Sequence, residues 1–212
     1  FLTRITPIRD YLLKNEPKET LSYFLSGFLK QFFNPFTFQD LVSPFDVLRS
    51  IQELSEREFV VDAECDPTPF LAFILTTLNK EIGKENVASH IRGKINVLQN
   101  SDGGTEFTPL QQRFWCLPLD PMESPLYRSG LEKEKIIPRV ELGELMERYN
   151  GEFVTKQAAG NQTVIQRKMK ISETKEFLWL NVNRIRSAVF GKEKLTMHIA
   201  LPKDGLDLSQ YG

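Results

Sequence analysis

Apolar residues recur at every third or fourth position from Leu21 to Ile82 and, past Gly83, at every second position. That switch from the helical to the strand period sets the order of elements before any motif is considered. In TLSYFLSGFLKQFF, residues Leu21, Phe24, Leu25, Phe28, Leu29 and Phe32 share one helix face, Thr20 stands as its cap, and Asn34-Pro35 ends it. Each large apolar side chain taken out of water is worth about 1.5–3 kcal/mol, so this face must pack against a partner element. Ser43-Pro44-Phe45-Asp46 starts a second helix, with Ser as cap, Pro at the first position and an acid near the positive end. Phe45, Leu48, Ile51 and Leu54 are its inward residues. A third helix begins after Asp66, with Pro67 or Pro69 in its first turn, and directs Phe70, Leu71, Ile74, Leu75, Leu78 and Ile82 inward.

Beyond Gly83, HIRGKINVLQ alternates as a strand and SDGG supplies a turn or flexible loop at 101–104. RFWCLPLDP reads as a further strand, which passes Pro118 only if that residue lies at an edge or a bulge. The stretch 124–135 is a charged loop, and VELGELMERYNG is a short helix with Leu142, Leu145, Met146 and Tyr149 on its apolar side and Gly151 at its end. TVIQRKMKI, FLWLNVNRI and KLTMHIALP follow as strands. Connections around 100–108 and 156–163 have the composition of segments ordered only by partners. Helices followed by a mostly antiparallel, strand-rich remainder make an α+β chain. We divide it into a helical subdomain, 1–83, and a strand-rich subdomain, 84–212, of one domain.

Composition excludes several classes of function. With 27 basic and 28 acidic residues the net charge is -1, which gives no bulk drive toward phosphate backbones or anionic lipid, although a neutral total can still hide a local basic patch. The densest basic run, Arg167-Lys168-Met169-Lys170, alternates with apolar residues and is better read as a solvated strand face than as a nucleic-acid site. No stretch approaches the roughly 20 apolar residues of a membrane span, and no signal peptide opens the chain. Cys65 and Cys116 are the whole thiol inventory, too few for a disulfide framework and suited to a reducing, intracellular compartment. The opening FLTRITPIRDYLLKN is apolar helix surface without an initiator methionine, and we read the sequence as an internal piece of a longer chain.

A nucleophilic cysteine needs a histidine to take its proton. Cys116 lies in FWCLPL, where a small buried hydrophobe is the ordinary role, and Cys65 precedes a helix start, where a thiol pKa can fall. Nothing ties either to His90, which begins a strand, or His198, which lies inside one. There is no Cys-x-x-Cys, no histidine pair at helical spacing and no calcium loop. Gly103-Gly104 lacks the pattern of a phosphate cradle, the acid pairs Glu56 with Glu58 and Glu132 with Glu134 are solvated, and Trp115 and Trp179 are core residues. The residues therefore assign no catalytic, cofactor-binding, metal-binding or partner-binding position.

Several segments, taken in order, resemble one family. RITPIRDYLLKN is similar to the stretch after a degenerate cysteine box, and FFNPFTFQDLVSPFDVLRSI to a Trp-Asn-Pro and Val-Ser-Pro helical region. CDPTPFLAFILTTLNKEI stands where ubiquitin proteases carry Gln-Gln-Asp-Ala-x-Glu-Phe-Leu; Asp66, Phe70 and Leu71 match, while Glu64, Cys65 and Pro69 replace Gln, Gln and Glu. FWCLPLDPMESPLYRSGLEKEKIIPRVELGELMERYNG resembles a Leu-Asp-Leu-Pro strand, Pro-Leu-Tyr, Ile-Ile-Pro-x-Val and a helix ending Phe-Asn-Gly. FLWLNVNRIRS is similar to a Leu-Ile-Phe-x-x-Lys-Arg-Phe strand, with Arg184 matching and Ile185 in place of Phe, and LPKDGLDLSQY to a segment from Phe-Pro to a leucine-rich Tyr motif. On these segments, which span nearly all of the chain, it resembles the catalytically inactive, ubiquitin-specific-protease-like splicing factors associated with the tri-snRNP.

The resemblance implies a papain-like thumb, fingers and palm, incomplete at both ends, with the cysteine box before Phe1 and the histidine box after Gly212. It implies a nuclear, non-enzymatic scaffold: a pseudo-deubiquitinase that binds tri-snRNP proteins, including the large helicase and scaffold subunits, and supports tri-snRNP assembly or stability. RNA contact would be indirect or unknown, membrane contact absent and ubiquitin binding unlikely. No cofactor is implied for this segment, whereas the parent's amino-terminal part would carry a zinc finger. Active members also hold a zinc in the fingers with two Cys-x-x-Cys pairs, which this chain lacks. The alternatives are a fragment of an active ubiquitin-specific thiol protease and a ubiquitin-binding module without chemistry.

Overall fold

The helical period is realised as α1 (Thr6–Lys14), α2 (Thr20–Phe32), α3 (Phe45–Leu54), α4 (Pro67–Glu81) and the single turn α5 (Ala88–Ile91). The computed structural model describes residues 2–36, 42–100, 106–121, 137–157, 164–188 and 191–212, with backbone alone at 155–157, 164–165, 186–188 and 191–193. The chain divides into two units, Phe1–Arg92 with Lys175–Leu178, and Gly93–Thr174 with Trp179–Gly212. Among the described residues no helix is long and apolar enough to cross a membrane.

In the helical unit α2 buries Leu21, Leu25 and Leu29 together with Ser22 and Ser26. This corrects the expected phenylalanine face: Phe24 and Phe32 are 37% and 55% exposed. The serines explain the shift. Ser26 Oγ donates to the Leu12 carbonyl at 2.7 Å and Ser22 Oγ to the Glu19 carbonyl at 3.2 Å, so both are buried with their hydroxyls bonded. Small side chains let α1 come close; the phenylalanines flank that contact, with Phe28 and Phe32 stacked at 5.9 Å.

Thr20 does not cap α2. Glu19 holds the cap position without a side-chain bond, and the cap comes from the end of α4, where the Glu81 carboxylate accepts from Leu21 N at 3.2 Å and Ser22 N at 2.7 Å. The Ser-Pro start of α3 is displaced by one residue: Pro44 is the cap position and Ser43 Oγ accepts from Phe45 N at 3.3 Å. Ile51 is buried as expected, whereas Phe45 and Leu54 are exposed. The start of α4 follows the sequence reading, with Asp66 Oδ1 accepting from Thr68 N at 2.9 Å and Pro67 in the first turn. Ile74, Leu75, Leu78 and Ile82 are buried, and Phe70 sets its ring edge-on to Phe59 at 5.3 Å.

The second unit holds β1 (Gly93–Asn100), β2 (Phe107–Phe114), β3 (Leu117–Leu119), β4 (Arg139–Glu141), α6 (Leu142–Met146), β5 (Asn150–Gln157) and β6 (Val164–Glu173). These are followed by β7 (Leu180–Val182), β8 (Ile185–Ala188), β9 (Gly191–Lys194) and β10 (His198–Ala200). β2, β1, β6 and β5 form, in that order, a four-stranded antiparallel sheet. Alternate residues Ile95 and Val97 on β1, with Met169 and Ile171 on β6, are buried on one face. At its start Gly93 lies against the Phe114 ring, where an added Cβ would come within 2.2 Å of Phe114 Cζ.

Several strand expectations are corrected. His90 sits in α5, not in a strand, and RFWCLPLDP breaks at Trp115-Cys116 into the end of β2 and β3. β2 reaches back to Phe107; it is an edge strand exposed at all but its last position, so no alternation marks it. FLWLNVNRI divides into β7 and the start of β8, and KLTMHIALP into the end of β9 and β10. β3 with β7, and β4 with β10, pair in parallel, so the strand-rich part is not wholly antiparallel. Pro118 does occupy an edge, in the two-stranded β3–β7 pair. The expected apolar side of α6 and the turn after it, Leu142, Leu145, Met146 and Tyr149, is buried. Gly151 follows with φ +84°, a left-handed conformation suited to glycine. The SDGG turn at 101–104, the charged loop 124–135 and most of the connection 156–163 lie outside the described residues.

Glu81→Ala leaves two amides at the start of α2 without their acceptor and is expected to cost about 1–2 kcal/mol, seen as a lower urea midpoint at unchanged m. Gly93→Ala forces Phe114 off its seat and is expected to cost about 1–3 kcal/mol in the same measurement.

Candidate functional site

The residues able to do chemistry are distributed, not assembled. Cys65 and His90 belong to the helical unit, Cys116 and His198 to the strand-rich unit, and among the described residues no hydrogen bond joins either thiol to either imidazole. His90 Nδ1 lies 3.1 Å from Glu176 Oε2, and the His90 carbonyl accepts from Phe177 N at 3.0 Å, so this residue fastens the segment Lys175–Leu178 to the end of α5. Cys116 is half-buried, and burial pushes its thiol pKa up, the opposite of what a nucleophile requires. A four-thiolate zinc site does not fit a chain with two cysteines. Among the described residues no cluster of three or more His, Cys, Asp or Glu side chains is placed to hold a metal ion.

The segment resembling the ubiquitin-protease motif leads through the cap position into the first turn of α4. Its retained acid, Asp66, is engaged as the helix cap, and Phe70 packs on Phe59. The prolines at 67 and 69 fit this turn because its amides have no intrahelical acceptor. What the turn displays is therefore a capped helix end.

Two features have more shape. On the helical unit a cavity of about 490 Å³ is lined by Tyr23, Phe24, Gly27 and Phe28 of α2 and by Asp46 and Val47 of α3. A Cβ added at Gly27 would meet nothing within 4 Å, so this position borders open space. The rings of Tyr23, Phe24 and Phe28 suit an apolar side chain, with the charged groups of Glu16, Lys30 and Asp46 among the lining.

The other is a polar cluster that the sequence did not disclose. Asp120, just past β3, accepts from Arg148 Nη1 and, at 2.5 Å, from Asn183 Nδ2, whose own Oδ1 accepts from Asn181 Nδ2 at 2.8 Å. Beside it Tyr149 donates to the Pro118 carbonyl at 2.6 Å. Burial pushes the Tyr149 pKa up to about 12; Arg148 and Arg167 pull it down, and Asp120 and Cys116 push it further up. Asp120 and Asn183 are 63 positions apart, and their only sequence signal is that each follows a short apolar run. The cluster ties the ends of the parallel β3–β7 pair to the turn after α6, a structural task.

Solved structures sharing this arrangement decide the fold. The SAGA Ubp8/Sgf11/Sus1/Sgf73 DUB module bound to ubiquitin aldehyde matches with a TM-score of 0.66 and 13% identity over 98% of this chain and 47% of that chain. The yeast SAGA DUB module carrying a mutant Sgf73 gives 0.65 and 14% over 98% and 48%. The fold is that of the ubiquitin-specific proteases. In sequence the chain is 24% identical over 234 residues to "Probable mRNA-splicing protein ubp10" of Schizosaccharomyces pombe, covering 99% of this chain and 45% of that protein. It is 23% identical over 245 residues to human "Ubiquitin carboxyl-terminal hydrolase 39", covering 99% and 43%. The chain thus spans less than half the length of these relatives. No protein-family model matches it.

Tyr149 gives the strand-rich unit a signature in alkali. Below about pH 10 its phenol is protonated in both folded and unfolded chains; above it the unfolded phenol ionises first, so stability falls as pH climbs toward the folded value. Urea midpoints measured from neutral to alkaline pH should decline more steeply for the native protein than for Tyr149→Phe, which loses about 1 kcal/mol at neutral pH with the bond to Pro118.

Proposed function

We propose that this chain is part of a non-enzymatic scaffold of pre-mRNA splicing, a nuclear pseudo-deubiquitinase that binds tri-snRNP proteins, the large helicase and scaffold subunits among them, and supports tri-snRNP assembly or stability. The observation that carries the reading is similarity along 99% of the chain to a relative named as a probable mRNA-splicing protein. Two features of the site support it. The segment leading into and opening α4 departs from the ubiquitin-protease motif at Glu64, Cys65 and Pro69, and commits the matching acid to a cap. An aromatic groove on α2 offers a surface for apolar contacts with a partner protein.

The test is affinity purification of the full-length protein from nuclear extract at mild salt, with the bound proteins and small RNAs identified, alongside labelling by a ubiquitin electrophile. Recovery of tri-snRNP components without labelling is the expected result. Covalent labelling would instead assign the chain to an active ubiquitin thiol protease, and ubiquitin conjugates as the sole recovered species would make it a ubiquitin binder.

A further inference from the structure

The register of the four-stranded sheet sorts its residues onto two faces. One face is buried through Ile95, Val97, Met169 and Ile171. Across the other run three rows: Gln111, Asn96 and Lys170; Pro109, Leu98, Lys168 and Phe153; and Phe107 beside Asn100. Side-chain contacts agree with this sorting. Gln111 Nε2 donates to Asn96 Oδ1 at 3.3 Å, Lys168 Nζ stands 5.6 Å from the centre of the Phe153 ring, and the Phe107 and Phe153 rings meet at 4.9 Å. The two rings start on opposite edge strands, so this face curls inward enough for them to meet above β1 and β6.

Phe107 is 38% exposed and Phe153 50%, both on a sheet where inward phenylalanines would be the norm. Among the described residues the charges of the face are Lys94, Arg113, Lys168 and Lys170 against Glu173, which pairs with Lys94. The basic run at 167–170 is thereby split: Arg167 turns to the other face and bonds Gln112 at 3.3 Å, while Lys168 and Lys170 join the aromatic pair.

We propose that this face binds single-stranded nucleic acid. Exposed rings offer stacking to the π-face of an unpaired base, Lys168 and Lys170 stand on adjoining rows for the phosphates with Arg113 further along the same face, and the Asn96 and Gln111 amides can meet base edges. A duplex hides its base faces and gives the rings no partner. An acidic protein would use the cations and leave the rings without a task. The inference does not rest on the splicing assignment.

The test is fluorescence anisotropy of the full-length protein with labelled oligouridylate and oligoadenylate of about 12 nucleotides, as RNA and as DNA. Saturable binding is expected, with Phe107→Ala and Phe153→Ala each weakening it about 5- to 100-fold. Lys168→Gln with Lys170→Gln should reduce the slope of log affinity against log salt by about 1.4, while Arg49→Gln on the exposed side of α3 changes neither quantity. All the substituted side chains are exposed or half-buried, and an unchanged melting temperature confirms that the variants fold. Comparable affinity for RNA and DNA supports the proposal, since no 2′-hydroxyl contact is part of it. Absence of saturable binding at about 50 mM salt, or binding that both phenylalanine variants leave intact, overturns it. So does capture of an acidic peptide by the same lysines in place of the oligonucleotides.

Discussion

One carboxylate holds the helical unit in register. The first amides of α2 have no partner within the helix, and Glu81, sixty residues away at the end of α4, accepts from two of them. An acid at that end also opposes the positive end of the helix dipole. α2 packs against α1, α3 and α4, so fixing its start fixes where its leucine and serine rows meet each neighbour. The same placement turns Phe24 and Phe28 toward the open cavity and leaves Gly27 on its lining. A capping interaction thus decides which aromatic side chains are available to a partner.

In the strand-rich unit the equivalent constraint is register around β1. Its two neighbours are both antiparallel, and its alternate residues Ile95 and Val97 commit one face to burial. A slip by one residue would exchange these with Asn96 and Leu98, so the buried face admits one pairing. Phe114 over Gly93 fills the space left by the glycine at the strand's first position.

What the sequence disclosed follows from which signals are local. Asp66 with Pro67 marks a helix start through neighbours in the chain, and α6 with its turn carries a clean apolar set; both were legible. The cap on α2 was not, because Glu81 is remote and Thr20 is a plausible local substitute. Phe24 and Phe32 were placed inward because hydrophobic spacing ranks phenylalanine above serine, whereas burial here is set by how closely α1 approaches and by bonded hydroxyls. β2 escaped because an edge strand has no buried face to impose alternation. The cluster of Asp120, Arg148 and Asn183 escaped because parallel pairing of β3 with β7 has no signal in strands of three residues. Recognition of the fold came instead from the order of short segments, which survives such errors in individual elements.

The return of four residues, Lys175–Leu178, to the helical unit has a consequence for biosynthesis. Their docking on His90 uses chain that emerges from the ribosome only after all of β6 has been made. At roughly 5–20 residues per second that interval lasts several seconds, during which α5 waits without its final neighbour. Completion of the helical unit therefore waits on the synthesis of β1 to β6, although its helices precede those strands in the sequence.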